Sequence, residues 1–140
     1  MNYLLDTCII SEAAKPKPEK SVTRWIDGCD EESLFLSVLT IGEIQKSIAR
    51  ISDKTRRIKF QQWLDTDLRQ RFVYRILSID ESVALTWGLV QGKTEAIGRP
   101  IPTIDGLLAA TALVHNLVLV TRNEPDFLAT GVNVFNPWNV

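Results

Sequence analysis

One histidine, His115, stands among 140 residues. A zinc site built on histidines lacks its further imidazoles, and a Ser-His-Asp triad has only this one candidate base. His115 itself falls in the last turn of a helical pattern, where a partly charged imidazole complements the helix dipole. Cysteine is scarce as well. Cys8 and Cys29 have no C-x-x-C spacing, and they read as reduced thiols of a cytoplasmic protein. Cys8 reads as a small core residue, with a reactive thiol as the alternative. The seven glycines are scattered and make no phosphate-cradling loop. No apolar run approaches the roughly 20 residues that span a bilayer. The first residues show no basic region followed by a long apolar stretch. The expectation is a soluble, intracellular chain.

What is present fits an ordinary globular domain. Hydrophobic residues make up 45% and charged residues 24%, enough for a core without disulfides. The four tryptophans read as core or interface material before base-stacking platforms. Net charge is −1, which alone does not point to nucleic acid. Its distribution is uneven. Lys54 to Arg75 holds seven basic residues and two acids, and the remainder of the chain is correspondingly acidic. Bases that grip a phosphate backbone beside acids that hold a metal would suit a nuclease. A solvated helix face is the alternative.

Periodicity alternates strands with helices. Tyr3–Leu5, Leu34–Val38, Phe72–Leu77, Val118–Val120 and Val132–Phe135 read as strands. Helical patterns cover Ile9–Ala14, Glu19–Asp27, Thr40–Ile51, about Lys54–Arg71, Asp80 to about Ile97, and Ile104–Asn116. Gly98 stops one helix, and Asp53, Asp80 and Thr103 read as caps. Such alternation implies right-handed crossovers and a parallel sheet covered on both faces.

Four acids recur at element ends: Asp6, Glu43, Asp105 and Asp126. Dispersed carboxylates gathered by a fold would suit Mg²⁺ or Mn²⁺, which favour carboxylate and water oxygens. Each has a plainer reading. Asp6 can cap the short helix after the first strand. Thr40-Ile41-Gly42-Glu43 matches a capping box. Asp105 in a first turn complements the helix dipole. Asp126 can be a turn acid, and Glu124 competes for its place. Small residues from Gly106 to Ala112 would let their helix lie close to the sheet. Thr121 and Asn123 could orient a carboxylate or a metal-bound water.

Together the motifs resemble PIN-domain ribonucleases, specifically the VapC toxins of bacterial toxin–antitoxin modules in the FitB-like branch. The residues that carry the resemblance are Leu5-Asp6-Thr7 with Ile10-Ser11-Glu12, Gly42-Glu43-Ile44, Pro102 to Asp105 leading into Leu108-Ala109-Ala110-Thr111-Ala112, Leu119 to Asn123 with Asp126-Phe127, and Asn136-Pro137-Trp138. The chain departs from the pattern at Cys8, where many relatives carry Asn. The resemblance spans residues 1–140 as one domain. It implies an α/β fold, a three-layer α/β/α PIN domain with a central, mostly parallel sheet. It also implies a Mg²⁺- or Mn²⁺-dependent endoribonuclease whose metal-binding acids are Asp6, Glu43, Asp105 and Asp126. Lys46, Arg99 and Arg122 are candidate phosphate contacts. The implied partners are an RNA substrate, a cognate antitoxin protein and a second copy of the chain. Two rivals are carried. One is an aspartyl-phosphate phosphatase or receiver domain, against which Cys8 counts because it breaks a D-x-D pattern. The other is a non-catalytic RNA-binding module.

Overall fold

The computed structural model describes residues 1–140. Five strands form one sheet in the order β3-β2-β1-β4-β5, and every pairing is parallel. They are β1 (Tyr3–Leu5), β2 (Leu34–Ser37), β3 (Ile76–Leu77), β4 (Val118–Val120) and β5 (Val134–Phe135). The expected mostly parallel sheet is thus wholly parallel. Alternate strand residues feed opposite cores. Leu5, Leu34, Leu36 and Val120 belong to one cluster with Ile9, Val22, Ile41, Ile48 and Leu64, whereas Leu4 and Leu119 join Leu108, Ala109, Ala112 and Phe127 on the other face. Both faces of the sheet are therefore covered, as parallel sheets require.

The first face carries α1 (Thr7–Ala13), α2 (Lys20–Gly28), α3 (Val38–Ala49) and α4 (Lys54–Gln62). Helix α4 runs on through a π-helical stretch, Trp63–Leu68, into α5 (Arg69–Arg71). The other face carries α7 (Thr103–Val114), with α6 (Glu81–Ala96) packed on it, and the short α8 (Glu124–Phe127). Gly106 permits the close approach of α6 and α7. A Cβ there would stand 2.8 Å from Gln91 Oε1 and 3.1 Å from Trp87 Nε1.

Some boundaries differ from expectation. Helix α3 starts at Val38, not Thr40, because the Ser37 hydroxyl accepts the Leu39 N–H at 3.0 Å. Thr40 is then a buried helical residue, and the capping box with Glu43 does not form. Thr103 is the first residue of α7 rather than its cap, and Pro102 precedes it with no side-chain cap bond. Strand β3 is shorter than Phe72–Leu77. Phe72 is a fully buried plug at a helix end, and Tyr74 takes a left-handed φ of 64° before the strand begins. Asp53 and Asp80 do cap their helices, and Gly98 closes α6 at φ 72°. Glu12 is buried and accepts from Lys15 Nζ at 2.9 Å and Glu19 N at 3.0 Å, bracing the proline loop.

The basic segment is partly consumed within the fold. Arg71 and Arg75 both pair with Glu31, each at 3.0 Å, and both lie over the Phe72 ring. Arg57 donates to the Ile51 carbonyl.

Candidate active site

In a parallel sheet the crevice for ligands lies beyond the carboxyl ends of the strands, at the point where strand order reverses. Here β1 and β4 are neighbours although far apart in sequence, and their ends present Asp6 and Thr121. The backbone prolongs the ladder there, with Asp6 N–H donating to Val120 O at 2.9 Å.

Asp6 is engaged through both of its carboxylate oxygens. Its Oδ1 accepts the Thr7 N–H at 2.7 Å, which caps α1. Its Oδ2 accepts the Thr121 hydroxyl at 2.8 Å and lies 3.6 Å from Cys8 Sγ. Thr121 is fully buried and its oxygen also takes the Asn123 N–H at 3.1 Å. Thr121 thus links the end of β4 to the Asp6 carboxylate. Asn123 contributes its backbone to that bond, and its side chain makes no bond of its own.

Glu43 lies in the second turn of α3. Its Oε1 accepts the Thr7 hydroxyl at 2.6 Å. Asp105 lies in the first turn of α7 and is half-buried. Its carboxyl is pushed up to about 6, first by burial and then by the charges of Asp6, Asp126 and Glu43. Asp105 therefore lies within electrostatic reach of the other three acids. Asp126 stands in the first turn of α8 and is exposed. Glu124, its competitor, is absent from the charges that act on Asp105 and instead accepts from Asn139 Nδ2 at 3.1 Å.

None of the four acids forms a salt bridge. No group of three or more acidic, histidine or cysteine side chains is gathered closely enough to hold an ion unaided. Carboxylate oxygens are the donors Mg²⁺ takes, usually one or two of them with several waters. The all-oxygen donor set, uncompensated by any cation, fits such an ion.

Among the basic candidates, Lys46 shares with Thr7, Glu43 and Arg50 the lining of a groove of about 500 Å³. Arg99 lies exposed in the loop between α6 and α7. Arg122 is turned elsewhere, its guanidinium 5.1 Å from the Trp138 ring centre. The Cys8 thiol is pushed up to about 11, first by burial and then by Asp6, so it is a poor nucleophile. Thr7 and Arg50 received no role from the sequence. Thr7 follows Asp6 directly, but nothing local signals its bond to a residue 36 positions away.

The PIN domain family profile matches residues 3–132. The chain belongs to the PIN-domain family. This PIN domain is 35% identical over 136 residues to a protein named Toxin FitB of Neisseria gonorrhoeae, covering 97% of this chain and 98% of that one. It is 33% identical to the VapC ribonuclease Y4jK of Sinorhizobium fredii, covering 96% of each. Among solved structures, that of FitAcB from Neisseria gonorrhoeae superposes with a TM-score of 0.94 at 34% identity, covering 99% of both chains. The expected α/β/α PIN fold is the observed one.

Proposed function

We propose that this PIN domain, the whole chain acting as one domain, is a Mg²⁺- or Mn²⁺-dependent endoribonuclease and the toxin of a type II toxin–antitoxin pair. The observation that carries the proposal is the uncompensated acidic site, in which Asp105 is pushed up to about 6 by burial and its three acidic neighbours. The names of its relatives, a toxin and a VapC ribonuclease, point the same way.

Asp6 and Asp105 would be the principal metal ligands, with Glu43 and Asp126 completing the site directly or through water. A bound divalent ion supplies a hydroxide-like water near neutral pH and neutralises charge on the scissile phosphate. The chain's own residues do the rest. Thr121 fixes the direction of Asp6. Lys46 and Arg50 rim the groove beside Glu43, where a phosphate backbone would pass. Arg99 is free to meet it as well, whereas Arg122 would first have to leave Trp138. No side-chain nucleophile is required. An aspartyl-phosphate route is disfavoured because Cys8 breaks the D-x-D pattern that follows the first strand in such phosphatases.

The partners follow from two apolar surfaces. A groove of about 390 Å³ among Ile10, Ile44, Ile48, Ile51, Phe60 and Trp63 is flanked by Lys15 and Arg56. It would take an apolar antitoxin segment. Solved structures of this fold include toxin–antitoxin complexes. The outer face of α6 exposes Leu85 and Leu89, with Gly88 and Gly92 beside them and nothing above either glycine. That smooth face is suited to a second copy of the chain in a homodimer. No helix is long and apolar enough to cross a membrane, and we propose that the protein acts in the cytoplasm. The decisive test is brief induction in a bacterial host with sequencing of new RNA ends. Ends that appear with wild type and vanish with Asp105→Asn support the proposal. Their absence in both leaves the non-catalytic RNA-binding reading ahead.

A further inference from the structure

Two of the four acids are held by one residue. The Thr7 N–H donates to Asp6 Oδ1 at 2.7 Å, and the Thr7 hydroxyl donates to Glu43 Oε1 at 2.6 Å. These acids come from different elements, the end of β1 and the second turn of α3. Thr7 is the only hydrogen-bond partner of the Glu43 side chain. The other Glu43 oxygen is left free.

The Thr7 hydroxyl also lies 3.2 Å from the Thr40 hydroxyl. Threonine has a single hydroxyl proton to give. A carboxylate is the stronger acceptor, and 2.6 Å falls in the range of charge-assisted O–H···O⁻ bonds. Thr40 therefore turns its own proton toward Thr7, and the chain runs Thr40 to Thr7 to Glu43. A hydroxyl that accepts one bond donates a stronger one. The chain starts from a fixed point, since Thr40 is fully buried one turn before Glu43 on α3. Thr7 is itself β-branched and opens α1, so its χ1 has little freedom.

The chemistry of the donor matters. An arginine or lysine on Glu43 would neutralise it and compete with any cation. A neutral hydroxyl fixes the carboxylate and leaves its charge for an incoming ion. Lys46 and Arg50 lie along the same groove yet neither bonds Glu43.

We propose that Thr7 is a positioning residue that sets the spacing and direction of the Asp6 and Glu43 carboxylates, and through them the affinity and size preference of the site for a divalent cation. The proposal rests on the metal-dependent reading above. It is tested by binding, without activity, on the full chain. Mn²⁺ uptake is followed by the loss of the free-ion paramagnetic signal, and Ca²⁺ by competition. Thr7→Ser keeps the hydroxyl and should bind Mn²⁺ within about twofold of wild type, whereas Thr7→Val keeps the shape and should bind about tenfold more weakly. The preference for Mn²⁺ over Ca²⁺ should shift in Thr7→Val and not in Thr7→Ser. In a Glu43→Gln background, Thr7→Val should add no further loss, because the residue it acts through is already altered. Circular dichroism checks each variant, and Thr7→Ala replaces Thr7→Val if the latter does not fold. Wild-type affinity in Thr7→Val would overturn the proposal, leaving Thr7 a packing residue. So would a Thr7→Ser variant as weak as Thr7→Val. If wild type itself takes up no Mn²⁺, the metal-dependent reading falls and takes this proposal with it.

Discussion

Glu31, exposed, and Asp105, half-buried, are two carboxyls that lie at opposite ends of the sheet and are shifted in opposite directions. Burial raises both. At Glu31, before β2, hydrogen bonds and charge from Arg71 and Arg75 outweigh burial and hold the carboxyl below its usual value. At Asp105, beyond the strand ends, Asp6, Asp126 and Glu43 add to burial and drive it up to about 6. The first region carries its own counter-charge and is electrostatically complete. The second gathers negative charge and pairs none of it with a basic side chain. A fold that can place two arginines on one glutamate has left four acids without any, and clustered carboxylates cost stability unless a cation relieves them. The contrast separates an acid paired within the fold from acids that the proposed function would pair with a metal ion.

The largest expected effect breaks the acidic region. Asp105→Asn should lower RNA cleavage in Mg²⁺ or Mn²⁺ by roughly 10²-fold or more, since a ligand to the ion is lost. Glu31→Gln should leave cleavage within about twofold, because surface ion pairs contribute little to anything distant. Gel assays of both variants on one RNA check this. Equal losses would erase the distinction between the two regions.

The second effect is linkage. An ion that binds only the folded state at 100 times its dissociation constant stabilises it by about 2.7 kcal/mol. Mn²⁺ should therefore raise the melting temperature of wild type and of Glu31→Gln alike. The double variant Asp6→Asn, Asp105→Asn should show no rise. Asparagine is the better choice at position 6, because Asp6 also caps α1 and alanine there would cost about 0.5–2 kcal/mol for that reason alone.

How much of this was visible in the sequence depends on the range of the interactions. Tyr3–Leu5 and Val118–Val120 were legible because buried parallel strands are short apolar runs. Phe72 and Val73 look equally strand-like, yet Phe72 serves as a helix-end plug, and only the left-handed Tyr74 reveals why the strand waits until Ile76. The start of α3 was misplaced because Ser37 and Thr40 are both competent caps, and the choice between them is made by burial of Thr40 against the sheet side of the helix. The four acids were legible as a motif, whereas nothing local marked Asp105 as the one whose carboxyl burial and its acidic neighbours would raise. The hydroxyls were not. Thr121 could be guessed from its place after β4, but Thr7 meets Glu43 only once β1, α1 and α3 are folded together. Arg122 looked like a phosphate contact because nothing near it in sequence announces Trp138.

A third, smaller effect is pH. The Asp105 carboxyl holds its proton more tightly folded, at about 6, than unfolded, near 3.8. Between those values the folded state binds more protons, so the metal-free protein loses stability as pH rises through that window. The loss is complete above pH 6 and absent below the unfolded value. It should be on the order of 1 kcal/mol once solvent screening at a half-exposed group is allowed for. Asp105→Asn should remove this slope from urea melts at pH 4 to 7. Mn²⁺ affinity should also weaken as pH falls below about 6, because the ion must displace that proton.

The smallest effect sharpens the comparison from the other side. Glu31 is held below its usual 4.5, so its contribution is present at neutral pH and fades as pH falls below that value. Its side chain is 48% exposed, and such pairs contribute about 0.2–1 kcal/mol. Glu31→Gln should therefore lower stability at pH 7 by no more than that and abolish the acid-side loss. Arg75→Ala should cost more. Arg75 does not depend on the glutamate side chain alone, since it also donates to the carbonyls of Glu31, Leu34 and Arg71 and packs on Phe72, tying the approach to β2 to the approach to β3. Removing the arginine strips those carbonyls of a donor, whereas removing the carboxylate charge leaves them satisfied. Urea melts of the two variants at pH 7 should rank Arg75→Ala below Glu31→Gln. The reverse order would mean that the ion pair, and not the backbone clasp, organises this end of the sheet, and the two regions would then differ in sign of charge but not in kind.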